Sequence, residues 1–351
     1  MTQKPTAGVS VPTLSQVMRG TGRISQDTMT KVLDAAKSLR YIPNSRAAAM
    51  RSGESREIGF VINQLANPFN AEVISGVVDL LEAEGYLVST LDTRDDAQRQ
   101  GQQLEAFIRN GRGGLLWVPA LDTPPDTVEL LRAHQMPTVT FLRPLSANFD
   151  HVGIRNFEAT AAATTHLADL GHHHIAYFGG TDMTHVRQER IAGYTATMAR
   201  RELAAPIVWP SADRKSAGLE ATLRLKEAHP ETTAIVSNGA MVALGACLAL
   251  NRLGLTPGRE FSVVGFDDVE EAAFALPPLT TMAVCPALLG RKLGRVILDR
   301  IREPTMPPTS TEVSAALNIR ETTGTPVSTG ATTNKSHSSR QSMRNGPGAN
   351  S

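Results

Sequence analysis

The run Ser10-Val-Pro-Thr-Leu-Ser-Gln sets small polar side chains, Thr13, Ser15 and Gln16, on a segment the size of one recognition helix in a DNA major groove. Hydroxyls and an amide at that spacing can reach phosphates and base edges. The alternative is a small helical cap on the body of the protein. Two other groups could do chemistry. His172-His173-His174 offers three imidazoles, but consecutive residues point in different directions. No Cys or carboxylate stands at ligand spacing, so a loop-to-strand turn is expected and no metal site. Asp267-Asp268 follows an apolar strand, at the end where open α/β sheets bind ligands. A paired-carboxylate acid/base role would need a nucleophile or further acid at a nameable spacing, and none is present. Walker loops, Gly-x-Ser-x-Gly elbows and His-Glu-x-x-His helices are absent, and Gly111-Arg-Gly-Gly and Phe178-Gly-Gly lack dinucleotide-fingerprint spacing. The expectation is therefore no enzyme and no cofactor.

The elements that must position these residues divide the chain by charge. Residues 1–56 hold nine Lys/Arg against Asp27, Asp34 and Glu54, a balance of +6. Residues 57–323 carry −8, and the last 28 residues +3, which leaves the net +1 of all 351 residues. A basic head on an acidic body is the pattern of a nucleic-acid-binding module joined to a sensor. A merely solvated surface would show the same numbers. Apolar residues at 41% leave room for a real core, and no apolar run reaches the roughly 18 residues of a membrane span. Met1–Ser10 has no signal-peptide stretch, and Cys247 and Cys285 are too few for a disulfide framework, so the expected location is cytoplasmic.

Local signals order the elements. Ser10 caps a helix over 11–19 with Pro12 in its first turn, Gly20-Thr-Gly breaks it, and Ser25 caps a second. Met29, Val32, Leu33, Ala36 and Leu39 recur there at helical spacing. From Ile58 onward, strands at 58–62, 87–91, 114–118, 138–141, 175–178, 234–237 and 262–266 are expected. Helices at 69–84, 97–110, 125–134, 156–170, 188–202, 216–228 and 239–253 interleave with them. This alternation predicts an α/β fold of parallel sheets covered on both faces, in two lobes. Residues 324–351 are Ser/Thr/Asn/Gly-rich and are expected to be disordered.

The series Gly8-Val-Ser-Val-Pro-Thr-Leu-Ser-Gln-Val-Met-Arg-Gly and Leu39-Arg-Tyr-Ile-Pro-Asn resembles the headpiece of the lactose/galactose repressor family. The resemblance continues through Ile58-Gly-Phe-Val, Asn67-Pro-Phe, His166-Leu-Ala-Asp-Leu-Gly-His, Arg190-Ile-Ala-Gly-Tyr, Val263-Val-Gly-Phe-Asp-Asp and Pro277-Pro-Leu-Thr-Thr, over about residues 7–323. It implies a dimeric transcription regulator with an all-α helix-turn-helix headpiece and a two-lobed core like that of periplasmic sugar-binding proteins. The implied domains are a headpiece at 1–44, a hinge helix and linker at 45–56, one lobe at 57–170 and 286–312, and the other at 171–285 and 313–323. Partners are an operator duplex, a sugar, sugar-acid or polyol effector, and a second copy of the chain, with no membrane.

By the same resemblance Val11, Pro12 and Gln16 face bases, while Ser10, Thr13, Ser15 and Arg23 stand at or near phosphates. Asn44, Arg46 and Met50 belong to the hinge, with Met50 as a minor-groove wedge. Asn63, Phe69, Asn70, Asn156, Arg190, Asn238 and Asp267 match effector-lining positions. Amides and a carboxylate pair with sugar hydroxyls, and Phe69 packs on a sugar's C–H face. Arg190 could clamp a carboxylate. Arg155 and Gly239 stand where relatives often carry Asp, which favours an anionic effector. Met1–Thr6, with Pro5 inside, does not supply the apolar first helix such headpieces have. Either that helix lies upstream of Met1 or the chain binds DNA poorly; the alternative function is a soluble sugar sensor that has lost DNA binding.

Overall fold

Ser10 and Ser25 start their helices as the capping rule requires. The Ser10 hydroxyl accepts from Thr13 N–H at 3.3 Å ahead of α1 (Val11–Met18), and Ser25 accepts from Thr28 N–H at 3.4 Å ahead of α2 (Gln26–Ser38). Asp27 in the first turn of α2 and Lys37 in its last complement the helix dipole. Val17, Val32 and Ala36 are the buried apolar residues of this pair. The computed structural model describes residues 8–18, 22–41, 55–181 and 184–327, so Asn44, Arg46, Met50 and the hinge lie outside the described residues.

The chain continues through β1 (Glu57–Ile62), α3 (Pro68–Ala83), β2 (Leu87–Asp92), α4 (Ala97–Arg109), β3 (Gly114–Trp117), α5 (Pro125–Ala133), β4 (Thr138–Phe141) and β5 (Asp150–Ile154). Next come α6 (Asn156–Asp169), β6 (Ile175–Phe178), α7 (His185–Arg200), β7 (Ile207–Trp209), α8 (Lys215–Ala228), β8 (Ala234–Ser237) and α9 (Ala240–Arg252). The final elements are β9 (Ser262–Asp267), α10 (Glu270–Phe274), β10 (Thr280–Ala283), α11 (Pro286–Arg302), β11 (Ser310–Val313) and β12 (Ala316–Asn318). They form two units, Met1–Gly153 with Pro286–Glu312 and Ile154–Cys285 with Val313–Ser351.

In the first unit the strand order is β11-β5-β4-β3-β1-β2, and β1 through β5 pair in parallel. Ile58 lies opposite both Val88 and Gly114, and Ile58–Ile62 are all buried, as a parallel strand covered on both faces requires. Trp117 and Phe149 meet edge to face in a core with Val61, Leu104, Phe107, Leu115 and Leu131. Helices α3 and α11 touch backbone to backbone. A Cβ on Gly76 would come within 2.0 Å of the Ala287 carbonyl oxygen, and one on Gly290 within 2.0 Å of that of Val73. Neither carbonyl can rotate away without breaking its helix. Gly290→Val is therefore expected to cost about 3 kcal/mol by overpacking. Urea unfolding checks this, and a loss below ~0.5 kcal/mol would contradict the close approach.

The second unit repeats the plan in the order β12-β10-β9-β8-β6-β7, with β12 antiparallel to β10 and the other pairs parallel. Its helix pairs also approach through glycine: Gly193 of α7 meets the Phe157 carbonyl, and Gly218 of α8 meets that of Val242 in α9. The α6–α7 contact corrects the expected division at 170. Helix α6 packs on α7, β10 and β12, so the first crossing of the chain falls between Gly153 and Ile154. Five strands lie outside the predicted set. β5 carries Asp150 and His151 inside, β7, β10, β11 and β12 are only three or four residues long, and none has a clean apolar period. Helix α11, amphipathic through Leu289, Leu293, Ile297 and Leu298, also lies outside the predicted set.

His172 is the buried member of the histidine triplet, and His173 and His174 are exposed. Its Nδ1 meets Thr233 Oγ1 at 2.8 Å, and its Nε2 lies 2.9 Å from both Ser262 Oγ and the Gly324 carbonyl. The triplet is thus a turn whose first ring fastens the incoming end of residues 324–327. Those four residues, expected to begin a disordered tail, are placed in the structure, and Gly324 N–H donates to Ser262 Oγ at 3.0 Å. Burial lowers the His172 pKa from its ordinary value, which keeps the ring neutral. Among the described residues no three His, Cys, Asp or Glu gather as a metal set, and no helix is long and apolar enough to cross a membrane.

Candidate functional site

Each unit gathers polar side chains at the carboxyl ends of its own parallel strands, where its strand order reverses. In the first unit Asn63 follows β1, and Asn67 caps α3 by accepting from Phe69 N–H at 3.1 Å. This turn directs Asn70 back toward β1. Its Nδ2 donates to the Gln64 carbonyl at 2.7 Å and to Asn63 Oδ1 at 3.3 Å. Asn63 and Asn70 are therefore neighbours, as a shared site requires. Phe69 is buried and stacks on Phe141 with ring centroids 6.2 Å apart and planes 15° apart. One ring face is thus committed to the core.

The second unit brings Asn156, Arg190, Asn238 and Asp267 to one end of its sheet. Arg190, 4% exposed, donates from Nε to Asn156 Oδ1 at 2.9 Å and from Nη1 to the Asn238 carbonyl. Its guanidinium carbon lies 3.5 Å from the centre of the Phe266 ring, a desolvated cation–π contact. These bonds occupy two of its three nitrogens. A bidentate clamp on a carboxylate through Nη1 and Nη2 would share the first with Asn238. Asn156 Nδ2 donates in turn to Glu189 Oε2 at 3.0 Å and to the Ile154 carbonyl at 2.9 Å. Asn238 Oδ1 accepts the Tyr177 hydroxyl at 2.7 Å. Burial pushes the Tyr177 phenol up to about 12, despite the nearby Arg190 and Arg187, so it remains a donor at neutral pH.

Asp267 ends β9 at 7% exposure, and both it and Asp268 have left-handed backbone, φ +80° and +56°. Consecutive non-glycine residues in that region mark a position held by its surroundings. The second of the two carboxylates is held at β12. Asp268 accepts from Arg320 Nη1 at 2.6 Å and Asn318 Nδ2 at 3.2 Å, which fastens β12.

Four contributors lie outside the residues that the sequence pointed to. Tyr177 lies inside an apolar strand and reads as core. Phe266 does the same in β9. Arg187 precedes Arg190 by three residues on α7, a spacing that places both on one face, and this was legible once Arg190 was chosen. Asp213 arrives from the loop before α8, far from the others in sequence. Its Oδ1 accepts from Val242 N–H at 3.3 Å, so it caps α9 in place of Gly239, which has no side chain to do so. Burial raises its pKa, against the pull of Arg190 and the Val242 amide. A Cβ at Gly239 would lie 2.4 Å from Asp213 Oδ2. Gly239→Asp would press two carboxylates together, and it is expected to destabilise the second unit by about 2 kcal/mol. Thermal unfolding should show that drop, with recovery in Gly239→Asp/Asp213→Ala; equal stability of both variants and the parent would refute the steric coupling.

In the headpiece, α1 leaves Val11 71% exposed, with Pro12 and Gln16 also exposed, while Val17 turns inward. Thr13 and Ser15 are half-buried, and Ser10 and Arg23 are exposed. The Gln16 amide packs near Gly22, within 3.3 Å of where a Cβ would stand. These residues share one short helix and its flanks, the surface a groove-entering helix must present.

Residues 5–44 match the family described as bacterial regulatory proteins, lacI family, and residues 164–323 match a periplasmic binding protein-like domain. The ribose operon repressor of Escherichia coli (strain K12) is 31% identical over 304 residues, which cover 86% of this chain and 92% of that protein. The HTH-type transcriptional repressor PurR of Haemophilus influenzae (strain PittEE) is 30% identical over 298 residues, covering 84% and 88%. Among solved structures, the lac repressor dimer bound to operator and the anti-inducer ONPF superposes with a TM-score of 0.80 at 25% identity, over 91% of this chain and 96% of that one.

Proposed function

The chain belongs to the lacI family of bacterial regulatory proteins, and from that footing we propose that it represses an operon for the use of a carbohydrate or sugar acid. It acts in the cytoplasm as a homodimer on a palindromic operator, one α1 helix per half-site. The observation that carries this reading is α1 itself, a capped helix in a basic head with Val11, Pro12 and Gln16 turned outward. Ser10, Thr13, Ser15 and Arg23 take phosphates and position the helix; Gln16 and apolar contacts from Val11 and Pro12 read bases. Asn44, Arg46 and Met50 serve the hinge. Phe274 and Leu276, 81% and 89% exposed, offer apolar area of the kind a second copy would cover. A relative named as the ribose operon repressor supports a carbohydrate effector. Asn63, Phe69 and Asn70 in one unit, and Asn156, Arg190, Asn238 and Asp267 in the other, are assigned to it. An effector that favours the state with low operator affinity releases DNA by population shift, limited by its differential affinity for the two states.

Selection from a random duplex pool at two salt concentrations tests the reading. Recovery of a palindromic site whose affinity falls steeply with salt supports it. No enrichment at either salt removes it.

A further inference from the structure

Asp267 and Asp268 form one of two consecutive pairs of non-glycine residues with left-handed backbone among the described residues. The other is Arg94 and Asp95, with φ +54° and +60°. Both pairs stand at the carboxyl end of a parallel strand, β9 in the second unit and β2 in the first. In each pair the second residue is an aspartate held by an arginine. Arg143 donates from Nη1 and Nη2 to Asp95 at 2.5 and 2.9 Å, and Arg320 donates from Nη1 to Asp268 at 2.6 Å. An L-residue in this region crowds its Cβ against a backbone carbonyl oxygen, so two in succession need an anchor from outside the local chain.

Arg320 is itself fixed. Its Nη1 also donates to the Leu279 carbonyl at 2.8 Å, and its backbone N–H donates to Thr280 Oγ1 at 2.9 Å, which ties it to the start of β10. Asn318, opposite Thr281 of β10, gives Asp268 a further bond. The Asp268 and Arg320 side chains are 17% and 18% exposed, so the pair is largely shielded from solvent. The backbone carries this constraint into the effector residues assigned above. Asp267 ends β9 opposite Ala283, and the Phe266 ring before it lies 3.5 Å from the Arg190 guanidinium carbon. A turn that left the left-handed region would redirect the Asp267 carboxylate and disturb the ring against Arg190.

We propose that Arg320 is a positioning residue for the effector: through Asp268 it holds the left-handed turn that sets Asp267 and the Phe266–Arg190 contact. This rests on the carbohydrate-effector reading. Arg320 acts at one remove, by fixing backbone and not by meeting the ligand.

Calorimetric titration of the full chain with D-ribose, D-glucose, D-galactose and D-gluconate finds the tightest of the four, and crystal structures of parent and variants read the backbone at 267 and 268. Arg320→Met is expected to weaken that sugar by about 10-fold and to move one or both residues out of the left-handed region. Arg320→Lys is expected to recover most of the affinity, because both side-chain bonds of Arg320 come from one nitrogen that an ammonium can replace. Asp268→Gly separates positioning from stability. Glycine adopts this backbone without strain, so its melt is expected within about 3 °C of the parent while the sugar still weakens by about 10-fold. A merely structural ion pair would instead give an affinity that follows the melt. Parent affinity in folded Arg320→Met or in Asp268→Gly would overturn the proposal, as would an unmoved turn in Arg320→Met. If Arg320→Met does not fold, Asp268→Gly and Arg320→Lys decide it. Binding of none of the four sugars would remove the carbohydrate reading and the ligand half of the proposal; the backbone comparison would still decide whether Arg320 holds the turn.

Discussion

Arg190→Met is expected to weaken binding of the carbohydrate proposed as effector by about 100-fold, about 2.7 kcal/mol. Methionine keeps most of the stem volume and the contact with Phe266, but it has no N–H to give. Asn156 Oδ1 and the Asn238 carbonyl would each lose a donor in a buried setting. A buried acceptor left without a partner costs about 1–3 kcal/mol, so stability should also fall. The functional loss has a further cause. Arg190 ties the start of α6 to the residue that follows β8, and without it the two amides are no longer held for a ligand. Titration of parent, Arg190→Met and Arg190→Lys separates charge from geometry. Lysine restores the charge but cannot span both acceptors, so most of the loss should persist. Near-parent affinity in Arg190→Met would show that the ligand binds elsewhere.

Asp150→Ala should destabilise the first unit by about 3–5 kcal/mol, the range for removing one partner of a buried ion pair. The Asp150 side chain is 3% exposed, and Arg300 is 12% exposed. Its Oδ2 accepts from Arg300 Nε at 2.6 Å, while Oδ1 takes Arg300 Nη2 at 3.2 Å, Thr309 N–H at 2.8 Å and the Thr309 hydroxyl at 2.9 Å. One carboxylate thereby joins β5, the end of α11 and the approach to β11. Removing it strands a guanidinium with only the carbonyls of Pro304, Met306 and Pro307. Burial raises the Asp150 pKa, but the bonds from Arg300 and Thr309 outweigh it, and the carboxyl sits below its ordinary value of 3.8. A depressed carboxylate contributes stability that is present above the unfolded value and lost as pH falls through the folded one. Acid should therefore weaken the parent below about pH 4 more than it weakens Asp150→Ala. Urea unfolding of Asp150→Ala, Arg300→Met and the double variant gives the coupling. A single-variant loss under ~1 kcal/mol would mean that the pair is solvated after all.

The headpiece was legible because its signals are local. Ser10 and Ser25 cap helices whose ends depend on three or four neighbouring residues, and Val32 and Ala36 follow the helical period. The longer apolar strands, such as 58–62 and 262–266, were legible because parallel strands covered on both faces read as unbroken apolar runs. Failures occurred where burial and polarity disagree. Asp150 and His151 make β5 look like a loop, although Arg300, Thr309 and Thr140 satisfy them inside. The division at 170 failed because α6 alone does not say which neighbour it packs on; Gly193 on α7 settles that by admitting the Phe157 backbone.

The same distinction separates the two halves of the function. Sequence by itself determined the capped helices of the head and the alternation of strands and helices, since each depends on a short run with its own pattern, and the family resemblance implied Asn156, Arg190, Asn238 and Asp267 as residues of interest. Only the tertiary structure decided what those residues touch. Asp213 at the start of α9, Tyr177 on Asn238, Arg187 over Gly180 and Phe266 beneath Arg190 meet across 7 to 76 positions of sequence. Such contacts arise from parallel strands ending side by side, and no periodicity within a segment encodes which other segment will be its neighbour.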